Sequence, residues 1–156
     1  AVPNVLVALY TTATLGGYNE TLLLGALIVL LGFPIRRGGA GLWRCVGAAE
    51  GLAQDGIDAE IVDLRSLRPL DDATVLNSVR KTRRVVIVDE GWRTCSLAAE
   101  FGQRIVEQAF YDLDAPIARV CTEEVPIPYP KHLEDAALPS LERIVATVRR
   151  QLGHAD

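Results

Sequence analysis

The feature that most narrows what this chain can fold into is the uninterrupted run Val85-Val86-Ile87-Val88. A strand with one wet face alternates apolar and polar residues. Four β-branched residues in a row instead need cover on both faces, which is the situation of a strand inside a parallel sheet. Parallel neighbours cannot be joined by a tight turn, so such a sheet brings crossover helices with it. The run is therefore expected at the sheet centre, with helices above and below.

The flanking sequence supplies those helices. Residues 42–54 repeat apolar side chains at helical spacing (Leu42, Cys45, Val46, Ala49, Leu52), and Asp55-Gly56 offers a stop. Residues 60–67 return as a strand through Ile61 and Val62, halted before Pro69. Asp71 or Asp72 can cap a helix carrying Val75, Leu76 and Val79, whose basic end Arg80-Lys81 suits the helix dipole. Beyond a turn at Gly91, residues 97–110 set Phe101, Ile105, Val106 and Ala109 on one helical face. Residues 115–120 read as a short strand with Pro116 near its start, and the proline-rich residues 125–130 exclude a helix. Pro139 opens a last helix over 140–152, with Leu141, Ile144, Val145 and Val148 inward. Strands alternating with helices predict a three-layer α/β domain built on a largely parallel sheet.

The first third differs in kind. Residues 1–49 hold one acid, Glu20, and the apolar run LLLGALIVLLGF from Leu22 is closed by Pro34 and Arg36-Arg37. That run is shorter than the roughly 20 residues a membrane helix needs, so a buried strand is expected, and neither a membrane span nor a signal peptide. With 156 residues, 49% apolar and 23% charged, the chain can bury a core without disulfides or metals. A net charge of −4 with no clustered basic face argues against nucleic acid and anionic lipid as partners. The three cysteines, Cys45, Cys95 and Cys121, are widely spaced and form no metal-ligand pattern, which fits a reducing cytoplasm.

Chemistry-bearing motifs are sparse. Gly38-Gly39-Ala40-Gly41 before a helix could cradle an anion, but it lacks the full dinucleotide fingerprint and any Lys-Ser/Thr pair. Asp63 lies near the distance of a ribose-binding acid, without the glycine pattern that would give this meaning. His132 and His154 have no nucleophile signature to serve. Asp89-Glu90 ends the expected central strand, at the sheet edge where open α/β folds gather ligands. Arg65 and Arg68, in the string RSLRPLD, suit bidentate pairing with carboxylates, either across an interface or with nearby Asp63, Asp71 or Asp72.

Taken in order, AAEGLAQDGIDAEIVDLRSLRPLDDATVLNSVRKT, RRVVIVDEGWRT, LAAEFGQRIVEQAF, LDAPIARV and VPIPYPKHLEDAALPSLERIVATV resemble the C-terminal domain of the transketolase family. The closest resemblance is to the β subunit of the decarboxylating component of pyruvate dehydrogenase and related 2-oxo-acid dehydrogenases. It implies an α/β/α sandwich with a mixed, mostly parallel five-stranded sheet whose first strand is antiparallel. Residues 42–152 would form this domain, residues 1–41 an atypical segment of linker plus first strand, and 153–156 a tail. Two departures stand out: residues 1–41 do not follow the family's pattern, and Thr94-Cys95-Ser96 stands where a Gly-Gly pair often follows the threonine.

The resemblance implies an oligomeric, non-catalytic domain for subunit assembly and partner docking. In the full enzyme, thiamine diphosphate and magnesium would be held by domains other than this one, so no cofactor is expected here. The implied partners are an α subunit, a second β subunit and the acyltransferase core. Arg65, Arg68, Asp89 and Glu90 are then expected at the subunit interface, and Asp112 and Asp114, with Glu123 and Glu124 as alternates, at the docking patch. VPIPYPKHLEDAALP favours pyruvate among the 2-oxo acids. Two alternatives are a free-standing nucleotide- or anion-binding module using residues 38–41 and a truncated product without function.

Overall fold

In the computed structural model, which describes residues 7–8, 26–31, 40–64 and 66–153, the β-branched run lies in a strand with cover on both faces. This strand, β4 (Val85–Trp92), follows β1 (Val7–Ala8), β2 (Ala26–Leu31) and β3 (Ala59–Asp63), and β5 (Ala118–Thr122) comes after it. The helices between and after them are α1 (Ala40–Gln54), α2 (Asp72–Thr82), α3 (Leu97–Ala109), α4 (Lys131–Ala137) and α5 (Leu141–Gln151). A 3₁₀ turn, Phe110–Asp112, extends α3.

The sheet order is β1-β3-β2-β4-β5 and all four pairings are parallel. The antiparallel first strand is thus not found among the described residues. From β2 onward each strand reaches the next through a helix, and such a crossover returns the chain to the same sheet end. The expected central strand also moves: β2 occupies the middle, and β4 sits beside it, between β2 and β5. Both are interior strands, so a doubly covered run marks an interior position without saying which one.

Alternate residues of the strands enter two separate cores. Ile61, Val86, Val88 and Val120 pack against Cys45, Ala48, Ala49 and Leu52 of α1 and Ile144 and Val148 of α5. Val62, Val85, Ile87 and Cys121 pack against Val75, Leu76 and Val79 of α2 and Ala98, Phe101 and Ile105 of α3. These are the expected three layers.

Local chemistry fixes the joints. Gly56, at φ +77°, ends α1 with a paired set of bonds: its own N–H donates to Ala53 and that of Ile57 to Leu52. Asp71 rather than Asp72 caps α2, accepting from the Thr74 amide at 3.0 Å and its hydroxyl at 2.7 Å. Ser140 caps α5 through the Arg143 amide at 3.2 Å. Two strands are shorter or displaced relative to expectation: β3 stops at Asp63, and β5 begins two residues after Pro116, which has no N–H to give to a ladder. The short helix α4 was not expected.

Candidate functional site

Because the sheet is parallel, every loop that follows a strand emerges at its carboxyl end. The segments after β3, β4 and β5 therefore meet on one face, together with the start of α1 and with α4.

Asp89 stands at this end but turns inward. It is only 8% exposed, and its carboxylate accepts from the Gly91 amide at 2.9 Å and the Ala98 amide at 3.2 Å. Ala98 lies in the first turn of α3, where free amides and the helix dipole favour an anion. Ser96, at the N-cap position, makes no side-chain cap bond, so Asp89 takes that role from a neighbouring strand. A Cβ on Gly91 would lie 3.2 Å from Asp89 Oδ1, which explains the glycine there. Asp89, expected at the interface, thus has its carboxylate committed inside the domain.

Glu90 faces outward. Its carboxylate lies 3.7 Å from Arg44 Nη1 of α1, and Arg44 Nη2 lies 4.0 Å from Asp135 of α4. These three residues tie α1, β4 and α4 together at the carboxyl end. The backbone of Glu90 accepts from the Thr122 hydroxyl at 2.8 Å, which joins the ends of β4 and β5. Arg68, after β3, is exposed and has no side-chain hydrogen bond or ion pair among the described residues. Arg65 lies outside the described residues.

The four acids expected to dock a partner fall at opposite ends of the sheet. Asp112 and Asp114 precede β5, at the amino end, where Asp112 pairs with Arg80 at 3.5 Å and Asp114 with Arg83 at 2.8 Å. The hydrogen bond from Arg83 holds the Asp114 carboxyl below the usual carboxylate range, and Arg84 lies 4.0 Å away. With three arginines around two acids this end is not an acidic patch. Glu123 and Glu124 follow β5, at the carboxyl end. Glu123 pairs with Arg143 at 3.1 Å. Glu124 accepts from the Thr94 hydroxyl at 2.6 Å and its amide at 2.9 Å, and these bonds hold its carboxyl low.

What the motif reading missed at this face is apolar. Trp92, Val125, Ile127, Pro128, Ala137 and Leu138 line a cleft of about 410 Å³. Around it Ile127 is 76% exposed and Tyr129 fully exposed, and Trp43, in the first turn of α1, is 67% exposed. The proline-rich string after β5 carries half of these side chains, and apolar residues in a segment barred from regular structure were the signal available.

Among the described residues no group of three His, Cys, Asp or Glu could hold a metal ion. His132 is exposed at the start of α4, and His154 lies outside the described residues. Burial pushes the Cys45 thiol up to about 12 and raises that of Cys121 as well. Of the glycine turn before α1, Gly38 and Gly39 lie outside the described residues, while Ala40 and Gly41 are already helical. No described helix is long and apolar enough to cross a membrane.

Comparison with known proteins gives the family. The family described as "Transketolase, C-terminal domain" matches residues 37–144. The chain is 45% identical over 107 residues to the mitochondrial pyruvate dehydrogenase E1 component subunit beta of Dictyostelium discoideum, covering 69% of this chain and 30% of that protein. It is 45% identical over 109 residues to the β subunit of acetoin:2,6-dichlorophenolindophenol oxidoreductase of Cupriavidus necator, covering 70% and 32%. Among solved structures, a split-gene transketolase described as an inactive β4 tetramer superposes with a TM-score of 0.66 at 25% identity, covering 85% of this chain and 39% of that one. The chain thus spans about a third of the length of these relatives. With a match over more than half its residues, the chain belongs to the transketolase C-terminal domain family.

Proposed function

We propose that this domain serves subunit assembly and partner docking in a cytoplasmic thiamine-diphosphate-dependent 2-oxo-acid dehydrogenase, as part of a β subunit, and that alone it turns over no substrate. The observation that carries this reading is the exposed apolar surface at the carboxyl end of the sheet, around Trp92, Ile127 and Tyr129. Water disfavours such a surface, and apolar cores rimmed by charge are typical of protein interfaces. Glu90 lines the cleft there, and Arg68 is exposed in the segment that follows β3. The relatives named for pyruvate dehydrogenase support pyruvate as the substrate of the full enzyme, and the acetoin relative marks the limit of that support. An α subunit and a second β subunit are the partners we assign to this face. Glu123 and Glu124, which share it, suit docking of the acyltransferase core better than Asp112 and Asp114 do, because three arginines offset the latter pair.

The test joins an assay to an association measurement. The purified chain, given pyruvate, thiamine diphosphate and magnesium, should show no decarboxylation above background. It should self-associate in sedimentation equilibrium, and the pair Trp92→Ser and Ile127→Ser should weaken that association at least tenfold with an unchanged melting temperature. Turnover that survives repurification would overturn the reading. Stabilisation by thiamine diphosphate or nucleotide in a thermal-shift assay would favour the anion-binding alternative.

A further inference from the structure

Nothing in the assembly role accounts for how the other side of the sheet is finished. β5 pairs with β4 along one edge and with no described strand along the other, and a bare strand edge is a template for pairing with a second chain. The half of β5 nearest the carboxyl end is covered, with Val120, Cys121 and Thr122 all below 7% exposure. The half nearest the amino end is more open. Beside it runs a groove of about 750 Å³ between α3 and β5, lined by Gly102, Val106, Ile117 and Arg119 among others. An added strand could rest its side chains there.

Backbone groups two residues apart in a strand point to the same edge. Arg119 and Cys121 are in that relation, and both of their carbonyls accept bonds from guanidinium groups outside the ladder. Arg93, in the turn after β4, donates from Nη1 to the Arg119 carbonyl at 3.2 Å, and Arg119 donates from Nη1 to the Arg93 carbonyl at 3.1 Å. Arg143, in the first turn of α5, donates from Nη2 to the Cys121 carbonyl at 3.0 Å and also pairs with Glu123.

We propose that the reciprocal Arg93–Arg119 pair and Arg143 form an edge guard that occupies the outer carbonyls of β5 and keeps the sheet from pairing edge to edge with a second copy of this chain. The most exposed member is Arg93, the one residue of the three that is neither in a strand nor on a helix. A second copy would meet the same edge about a twofold axis, placing two β5 strands antiparallel and bringing two Arg93–Arg119 pairs into like-charge contact. The guard therefore acts by both occupancy and charge. It also directs assembly to the carboxyl end of the sheet, although it does not depend on the assembly role.

The test compares wild type, Arg93→Ala and Arg93→Lys by sedimentation velocity over a wide concentration range and by hydrogen exchange of residues 117–122. Arg93 lies in an exposed turn, and a cooperative melt close to that of wild type verifies that each variant is folded. Arg93→Ala should raise the association constant at least fivefold, with new, concentration-dependent protection in 117–122. Arg93→Lys, which keeps the charge and a donor, should stay near wild type. If Arg93→Ala folds poorly, Arg93→Gln, which removes the charge and keeps a donor, should show part of the same gain. Unchanged association in the charge-removing variant would overturn the proposal, and so would a gain in association without protection in 117–122. Failure of the assembly reading would look different, because it concerns association of the wild type and protection in residues 125–133.

Discussion

Cys95 occupies backbone that an L residue seldom takes. Its φ is +56°, in the left-handed region where a Cβ crowds the following carbonyl, and it sits in the turn between β4 and the N-cap of α3. The sequence resemblance implies glycines after the threonine here and marks Thr94-Cys95-Ser96 as a departure. The backbone gives that departure a physical meaning: the turn is built as glycine would build it, with a side chain added. Its neighbour Thr94 is held by two bonds to Glu124, so the turn cannot easily relax away from the strain. Replacing Cys95 with Gly should therefore stabilise the domain by about 1 kcal/mol, the relief of the left-handed cost less the greater freedom glycine gives the unfolded chain. Chemical denaturation should show this as a higher midpoint with the same slope, whereas an unchanged or lower midpoint would mean the turn tolerates the side chain without cost.

At the scale of elements, most of the order was legible because periodicity reports burial. The spacing of Cys45, Ala49 and Leu52 gave α1, and the two faces of β4 gave the layers. What could not be read was whatever depends on contact between distant segments. α3 is a case in point: its local cap, Ser96, makes no capping bond, and its first turn is held by Asp89 across nine residues of chain. Nothing in local sequence distinguishes an acid turned toward a helix end from one turned toward a partner, and so Asp89 and Glu90 looked alike. Asp89→Ala would leave the buried Ala98 amide without an acceptor, and should cost about 2 to 3 kcal/mol. Asp89→Asn, which keeps an acceptor oxygen but loses the charge that suits a helix N-terminus, should cost less. Hydrogen exchange should localise the loss to the first turn of α3. A loss spread evenly over the domain would point instead to repacking of β4.

The described loops divide between the two ends of a parallel sheet, and this polarity was only partly visible in the sequence. The loop residues were identifiable, but which end each loop occupies follows from the strand directions, so Asp112 and Asp114 were grouped with Glu123 and Glu124 although they lie at opposite ends. At the amino end the acids are matched by Arg80, Arg83 and Arg84, beside exposed Phe110 and Tyr111. At the carboxyl end, exposed Arg68 has no side-chain partner among the described residues. A guanidinium placed in that way suits a carboxylate from another chain, which it can hold with two parallel bonds. Arg68→Ala should weaken self-association, by about 2 to 5 kcal/mol if it strands a buried carboxylate and by much less at a wet rim. Arg68→Lys should recover only part of the loss, because an ammonium cannot make the paired bonds. Both variants should melt at the wild-type temperature, since within the domain Arg68 supports no described contact. Sedimentation equilibrium alongside thermal unfolding decides the matter: a lowered melting temperature with unchanged association would place Arg68 in an internal pair and remove it from the interface.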